Sequence, residues 1–238
     1  MRGEAASCAL RESAHIDGGG RRRVRPEIIK INATEPEPKL IAYAAEQIRK
    51  GSVLAMPTDT FYGLAVDPYN LRAVDRVYEI KSRGRHKPLS LLIESVEQAD
   101  ELAHELPDEF RLLAERFWPG PLTIIVKAAP RLPLKVTANS GNIAVRVPSA
   151  AIPLAMVRAA GFPITATAAS LAGMPDCGSA EEVTQQMQER VPLVVDGGSS
   201  PMPVPSTIVN LAEPNGRWKL MREGAIPVQE IEDLLGDQ

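Results

Sequence analysis

Arg76-Val77-Tyr78-Glu79-Ile80-Lys81-Ser82-Arg83-Gly84-Arg85-His86-Lys87-Pro88 is where this chain passes from a helical pattern into a run of positive charge. Its first half belongs to an amphipathic helix, because Val74, Val77 and Tyr78 recur at intervals of three and four and the same face, continued, reaches Lys81. An ammonium on an apolar stripe requires an anion. Gly84 and Pro88 disfavour helix beyond Lys81, and the residue before a proline is pushed toward extended backbone. Side chains of an extended segment alternate, so Lys81, Arg83 and Arg85 project to one side. Five Lys/Arg against one Glu, in a chain of formal net charge -3, concentrate cations against the trend of the whole. A planar Arg fork and a mobile Lys charge suit a triphosphate; a solvated basic surface loop is the competing reading.

Upstream, Ser52-Val53-Leu54-Ala55-Met56 reads as a short buried strand. It opens into Pro57-Thr58-Asp59-Thr60-Phe61-Tyr62-Gly63-Leu64, a loop with two hydroxyls, a carboxylate and a phenol, suited to a ligand site or to a capped turn. Leu40, Ile41, Ala44, Ala45 and Ile48 mark a helix face ending near Gly51, and residues 27–31 form a first strand. Residues 1–25, with Gly18-Gly19-Gly20 and Arg21-Arg22-Arg23, read as a disordered basic tail, either a solvated extension or an RNA-touching arm.

Downstream, residues 89–93 are strand-like, and helices are expected over 95–105 and 107–117. Trp118-Pro119-Gly120-Pro121 is a stiff turn before the strand Leu122-Thr123-Ile124-Ile125-Val126. Arg146 lies inside the apolar strand 143–148, where it is expensive to bury unless an anion meets it; snorkelling from a sheet edge is the alternative. A helix over 150–160 and a strand over 163–167 lead to Ala168-Ala169-Ser170-Leu171-Ala172-Gly173, small residues that admit a ligand to the backbone or make a tight turn. A capped helix spans 179–190, strands cover 193–195 and 205–210, residues 218–224 pair nearby, and a helix over 227–235 closes the chain. Helices and strands intermingle throughout, which predicts an α/β (α+β) domain over 26–238 with a twisted mixed sheet and flanking helices around a basic cavity.

With 44% hydrophobic and 24% charged residues the composition is that of a globular protein, and 4% aromatic content argues against a surface of stacked rings for nucleic acid. No apolar run approaches a membrane span and no secretory signal is visible, so the cytoplasm is the expected location. Cys8 and Cys177 lack metal-like spacing, and His15, His86 and His104 lie far apart, so no protein-built metal site is expected. The phosphate-loop, dinucleotide-binding and nucleophile-elbow motifs are missing, which leaves Lys81, Arg83, Arg146 and Arg222 as candidates to hold a nucleotide.

The ordered blocks Pro57-Thr58-Asp59-Thr60-Phe61-Tyr62-Gly63-Leu64, Lys81-Ser82-Arg83 with Lys87-Pro88-Leu89, Trp118-Pro119-Gly120-Pro121-Leu122-Thr123, Ala144-Val145-Arg146 and Pro205-Ser206-Thr207-Ile208-Val209-Asn210 resemble the YrdC family across about residues 27–226. The resemblance implies a single YrdC-like domain with threonylcarbamoyl-AMP synthase activity, acting on L-threonine, bicarbonate and ATP with Mg²⁺ carried on the nucleotide. It implies catalytic roles for Lys81 and Arg83, threonine contacts from Thr58, Ser90 and Ser206, and ATP contacts from Lys81, Arg83, Arg85, Ser170 and Arg222. Arg146 would meet the amino-acid carboxylate or the nucleotide. The implied partner is the tRNA-modifying threonylcarbamoyl transferase machinery.

One departure stands out: Ala168-Ala169-Ser170 occupies the place of the family's usual Ser-x-Asn, and a lost hydrogen bond to a charged group costs about 1.5–3 kcal/mol. The chain ends about a dozen residues past the Arg222 block, so the C-terminal extension of some relatives is expected to be absent. Two other functions stay open at this level: a double-stranded RNA-binding module using the same cations, and a divergent YciO-type relative with another carbamoyl or acyl-adenylate activity.

Overall fold

The computed structural model describes residues 15–16, 22–23, 26–81, 88–213 and 216–236. The expected tail, residues 1–25, lies outside them apart from a two-residue antiparallel ladder of β1 (His15–Ile16) and β2 (Arg22–Arg23). Among the described residues, no helix is long and apolar enough to cross a membrane.

After β3 (Glu27–Lys30), α1 (Pro38–Arg49) starts with a proline, where a missing N–H costs nothing, and buries Ile41, Ala44, Ala45 and Ile48. It ends in a Schellman turn: Gly51, at φ 84°, donates to Ile48 O at 2.8 Å and Ser52 donates to Gln47 O at 3.0 Å. β4 (Leu54–Met56) and β5 (Gly63–Ala65) flank the loop of residues 57–62. At the start of α2 (Leu71–Lys81), Asn70 Oδ1 accepts the N–H groups of Arg72 and Ala73, both at 3.2 Å. The last residue of α2, Lys81, is 6% exposed, on the buried stripe that the spacing predicts. Residues 82–87, and with them Arg83 and Arg85, lie outside the described residues.

β6 (Ser90–Leu92), α3 (Val96–Leu102) and α4 (Asp108–Phe117) follow. The helix predicted over 95–105 is shorter because Ala103 bridges to Ala128 and His104 N–H donates to Lys127 O at 2.9 Å, which draws the backbone to the sheet. Beyond β7 (Leu122–Lys127), β8 (Asn142–Arg146) and α5 (Ala151–Ala160), the predicted strand 163–167 is two strands, β9 (Ile164–Thr165) and β10 (Thr167–Ala168), with Ala166 between them. In α6 (Ala180–Met187), Ser179 Oγ accepts from Glu182 N–H at 3.2 Å. The helix predicted over 179–190 breaks at Gln188, whose φ of 50° interrupts the ladder and leads into a 3-10 turn. β11 (Leu193–Asp196), β12 (Thr207–Asn210), β13 (Lys219–Arg222) and α7 (Val228–Leu235) complete the fold.

Strands β3 to β13 divide between two mixed sheets where the sequence suggested one. The five-stranded sheet has the order β10-β5-β4-β11-β3, with β4, β11 and β3 parallel and β5 and β10 antiparallel to their neighbours. Residues of α1 and α5 cover it, and Ile41, Ile48, Leu54, Met56, Met156 and Val195 share that core. The six-stranded sheet has the order β13-β12-β7-β8-β6-β9 and buries Leu91, Ile124, Val145 and Val209 in a second core with Val74, Val77, Phe110 and Leu113. Each such side chain contributes roughly 1.5–3 kcal/mol of transfer free energy, which fixes the sheet's orientation and therefore its other face.

Candidate active site

That other face carries the polar side chains. Alternation along the strands turns Ser90 and Leu92 of β6, Thr123 and Ile125 of β7, Ala144 and Arg146 of β8, Ile208 of β12 and Arg222 of β13 into a cavity of about 560 Å³. Thr58 and Thr60 from the β4–β5 loop, Lys81 from the end of α2, and part of the 166–176 segment complete its lining. Thr58, Lys81, Ser90, Arg146, Ser170, Ser206 and Arg222, all nominated from the sequence, meet in this one cavity.

The β4–β5 loop is both a stapled turn and a cavity wall. Thr58 Oγ1 donates to Phe61 O at 2.6 Å, accepts Thr60 N–H at 3.1 Å and lies 3.0 Å from Thr60 Oγ1. Behind it, the buried Tyr62 hydroxyl donates to Gly198 O at 2.6 Å and accepts Gly197 N–H at 3.3 Å, tying the loop to the end of β11. Burial pushes the Tyr62 phenol up to about 12, so it stays protonated and structural.

Arg146 does not snorkel from an edge: β8 lies between β7 and β6, and the residue is 6% exposed. The anion it meets is Asp59, with which its NH2 forms an ion pair, while Nε donates to Gly120 O at 3.0 Å and NH1 to Thr60 Oγ1 at 3.2 Å. Ser149 Oγ donates to the other Asp59 oxygen at 3.0 Å. The guanidinium thereby joins the stiff Pro-Gly-Pro turn, the threonine loop and the strand in one buried knot.

The small-residue loop brings backbone close, as small side chains allow: Lys81 Nζ donates to the carbonyls of Ala168 and, at 2.8 Å, Ser170. Ser170 Oγ donates to Asp176 Oδ1 at 2.6 Å. On the floor, Thr123 and Ser206 hydroxyls are 2.9 Å apart, and Arg222 clasps Ser206 O through Nε at 3.0 Å and NH2 at 2.8 Å. Burial lowers the Arg222 pKa, the Asp176 carboxylate opposes that shift, and the Arg146 charge adds to it; the guanidinium remains charged.

Four residues of this constellation were not singled out beforehand. Thr60 and Asp59 lay within the quoted loop without individual roles. Thr123 had a signal, the one hydroxyl in an apolar strand, whereas Asp176 had none.

The description "Telomere recombination" belongs to a family model of Sua5, YciO and YrdC proteins that matches residues 46–224. The chain is 37% identical to threonylcarbamoyl-AMP synthase of Pyrococcus abyssi over 88% of its own length and 61% of that protein's, so it spans about three fifths of this relative. The structure of P. abyssi Sua5 complexed with L-threonine superposes with a TM-score of 0.84 at 36% identity, covering 88% of this chain and 61% of that one. E. coli YciO superposes with a TM-score of 0.79 at 26% identity, covering 87% of this chain and 99% of that one. With the family model matching residues 46–224 and 87% of the chain superposing on YciO, the chain belongs to the Sua5/YciO/YrdC family.

Proposed function

We propose that this protein makes threonylcarbamoyl-AMP and pyrophosphate from L-threonine, bicarbonate and ATP, and that the adenylate passes in the cytoplasm to a tRNA-modifying threonylcarbamoyl transferase machinery. The observation that carries this reading is the meeting of Lys81, Arg146 and Arg222 with the hydroxyls of Thr58, Thr123 and Ser206 in one cavity, in a chain similar to a protein named for that synthesis. The relative solved with L-threonine supports an amino-acid site among the hydroxyls.

In the reaction, the threonine amine and bicarbonate condense to a carbamate with loss of water. A carbamate oxygen then attacks the α-phosphorus, the bond to the β-phosphate oxygen breaks, and pyrophosphate leaves. Thr58, Ser90 and Ser206 orient threonine, and Arg146 offers N–H donors whose charge Asp59 already offsets. Lys81 and Arg222, together with Arg83, Arg85 and Ser170, take the ATP side. Holding two anions in line against fixed cations supplies the rate without a protein nucleophile. Mg²⁺ arrives on the triphosphate, whose oxygens and waters supply most of its ligands.

The test is to incubate the purified protein with MgATP, bicarbonate and each amino acid, and to identify the adenylate by mass. Threonine-dependent pyrophosphate release and threonylcarbamoyl-AMP are expected, and both disappear in Lys81→Ala and Arg83→Ala. An adenylate formed without threonine, or unchanged turnover in both variants, defeats the reading.

A second reading, a YciO-type enzyme acting on another carbamoyl or acyl group, is favoured by the 99% coverage of E. coli YciO and by Ala168 and Ser170 at the Ser-x-Asn positions. Ala168→Ser combined with Ser170→Asn raises threonine-dependent turnover under the first reading and leaves it unchanged under the second. Duplex RNA binding is less well supported, because Lys81 and Arg146, each 6% exposed, lie too deep to meet the phosphates of a wide rigid helix. Salt-dependent RNA binding indifferent to threonine would restore it.

A further inference from the structure

A cavity lined for anions carries one carboxylate that the proposed reaction leaves idle. Asp176 lines it just beyond the small-residue loop, and its Oδ1 accepts the Ser170 hydroxyl at 2.6 Å. Among the described residues Asp176 makes no ion pair, and nothing hydrogen-bonds to its Oδ2. Left bare, this charge repels a triphosphate: like charges 4 Å apart weaken binding roughly fivefold even at the dielectric of water. A cation arriving with the triphosphate reverses that sign.

A hydroxyl and a carboxylate set side by side are the donors with which phosphate-loop enzymes hold Mg²⁺. Here Lys81 fixes the backbone that carries the hydroxyl, through the Ala168 and Ser170 carbonyls. We infer that Ser170 and Asp176 receive the Mg²⁺ that enters with ATP, Asp176 Oδ2 serving as a direct ligand, so that this chain contacts the phosphates through a metal ion where the family pattern has a hydroxyl and an amide. The inference rests on the ATP-dependent reading above.

Calorimetric titration of the full chain with ATP, in excess Mg²⁺ and separately in EDTA, tests it. Wild type binds MgATP more tightly than metal-free ATP. Asp176→Asn weakens MgATP about tenfold and tightens metal-free ATP, opposite signs that a merely structural carboxylate does not produce. Ser170→Ala, which keeps the charge, weakens MgATP by a larger factor than it weakens metal-free ATP. A check that needs no variant uses Mn²⁺: line broadening in ¹⁷O-water counts fewer waters on protein-bound MnATP than on MnATP bound only through phosphates to a Lys/Arg peptide. Equal water counts, or Asp176→Asn shifting both forms of ATP in the same direction, as loss of a contact to a substrate amine would, overturn the inference alone. Failure of the wild type to bind either form of ATP defeats the synthase reading and this inference with it.

Discussion

Replacing Asp59 with Asn keeps the shape of the buried knot and removes one charge from it. The Asp59 and Arg146 side chains are 8% and 7% exposed, so water screens neither, and the variant leaves a guanidinium in the interior with no counter-charge. Breaking a buried pair from one side costs about 3–5 kcal/mol. With a urea slope of roughly 2 kcal/mol per molar for a domain of this size, the unfolding midpoint falls by about 1.5–2.5 M. Arg146→Met alone strands the carboxylate and costs a similar amount. The double variant Asp59→Asn with Arg146→Met leaves no unpaired charge, so its loss is well below the sum of the two single losses. Urea denaturation followed by far-UV circular dichroism gives all four corners of this cycle. A single-variant loss below about 1 kcal/mol, or strictly additive losses, would show a hydrated pair and refute the argument that the knot holds the cavity's shape.

Three further outcomes can be checked. A Cβ on Gly224 would stand 2.1 Å from Pro205 O and 2.7 Å from Ser206 C, so Gly224→Ala displaces the backbone that carries Ser206, and calorimetry should show threonine affinity falling at least tenfold. Thr165 is fully buried and accepts Val66 N–H at 3.0 Å, so Thr165→Val orphans a buried donor and lowers the unfolding free energy by about 1–3 kcal/mol in the same urea assay. At alkaline pH the fold weakens, because burial raises the Cys177 thiol from 9.0 to about 11 and the Tyr62 phenol from 10.0 to about 12. Both groups hold their protons more tightly when folded, so their contribution is complete below pH 9.0 and is lost upward through about 11 and 12. Thermal unfolding of Cys177→Ala across that range should show a flatter decline than wild type above pH 9.0, and parallel curves would count against the buried thiol as its cause.

How much of this was readable in the sequence depends on the range of the interaction concerned. The helical period placed Lys81 on a buried face because i, i+3, i+4 spacing is a local property, and α1, α2 and α7 follow the same logic. Arg146 announced that it needed an anion, but its partners lie in a loop 86 residues away, and the pattern of one strand carries no information about which loop faces it. The second sheet was hidden for a related reason. Residues 163–167 look like one strand by composition, and only the pairing of Leu91 with Thr165 and of Leu64 with Thr167 reveals that the chain changes sheets at Ala166. The cavity residues followed from ordered motif blocks, whereas Asp176 sits in an irregular segment whose composition resembles any exposed loop, and only the fold sets it beside Ser170.

The charge balance of the cavity then assigns a task to the basic segment. Lys81, Arg146 and Arg222 supply three positive charges on or beside the described wall, and Asp59 and Asp176 remove two, so the net is one. In the proposed reaction, a carbamate that also bears a carboxylate, approaching a nucleotide triphosphate, would bring several negative charges even with Mg²⁺ offsetting two. Placing such reactants in van der Waals contact without more cations costs several kcal/mol at a surface-like dielectric, far more than a set of hydroxyls returns. The missing charge is written into the chain immediately after Lys81, as Arg83, Arg85 and Lys87. Under the proposed reading, Arg83→Ala, two positions after the cavity-lining Lys81, is therefore expected to weaken ATP binding in the same calorimetry, and an unchanged affinity would count against that role.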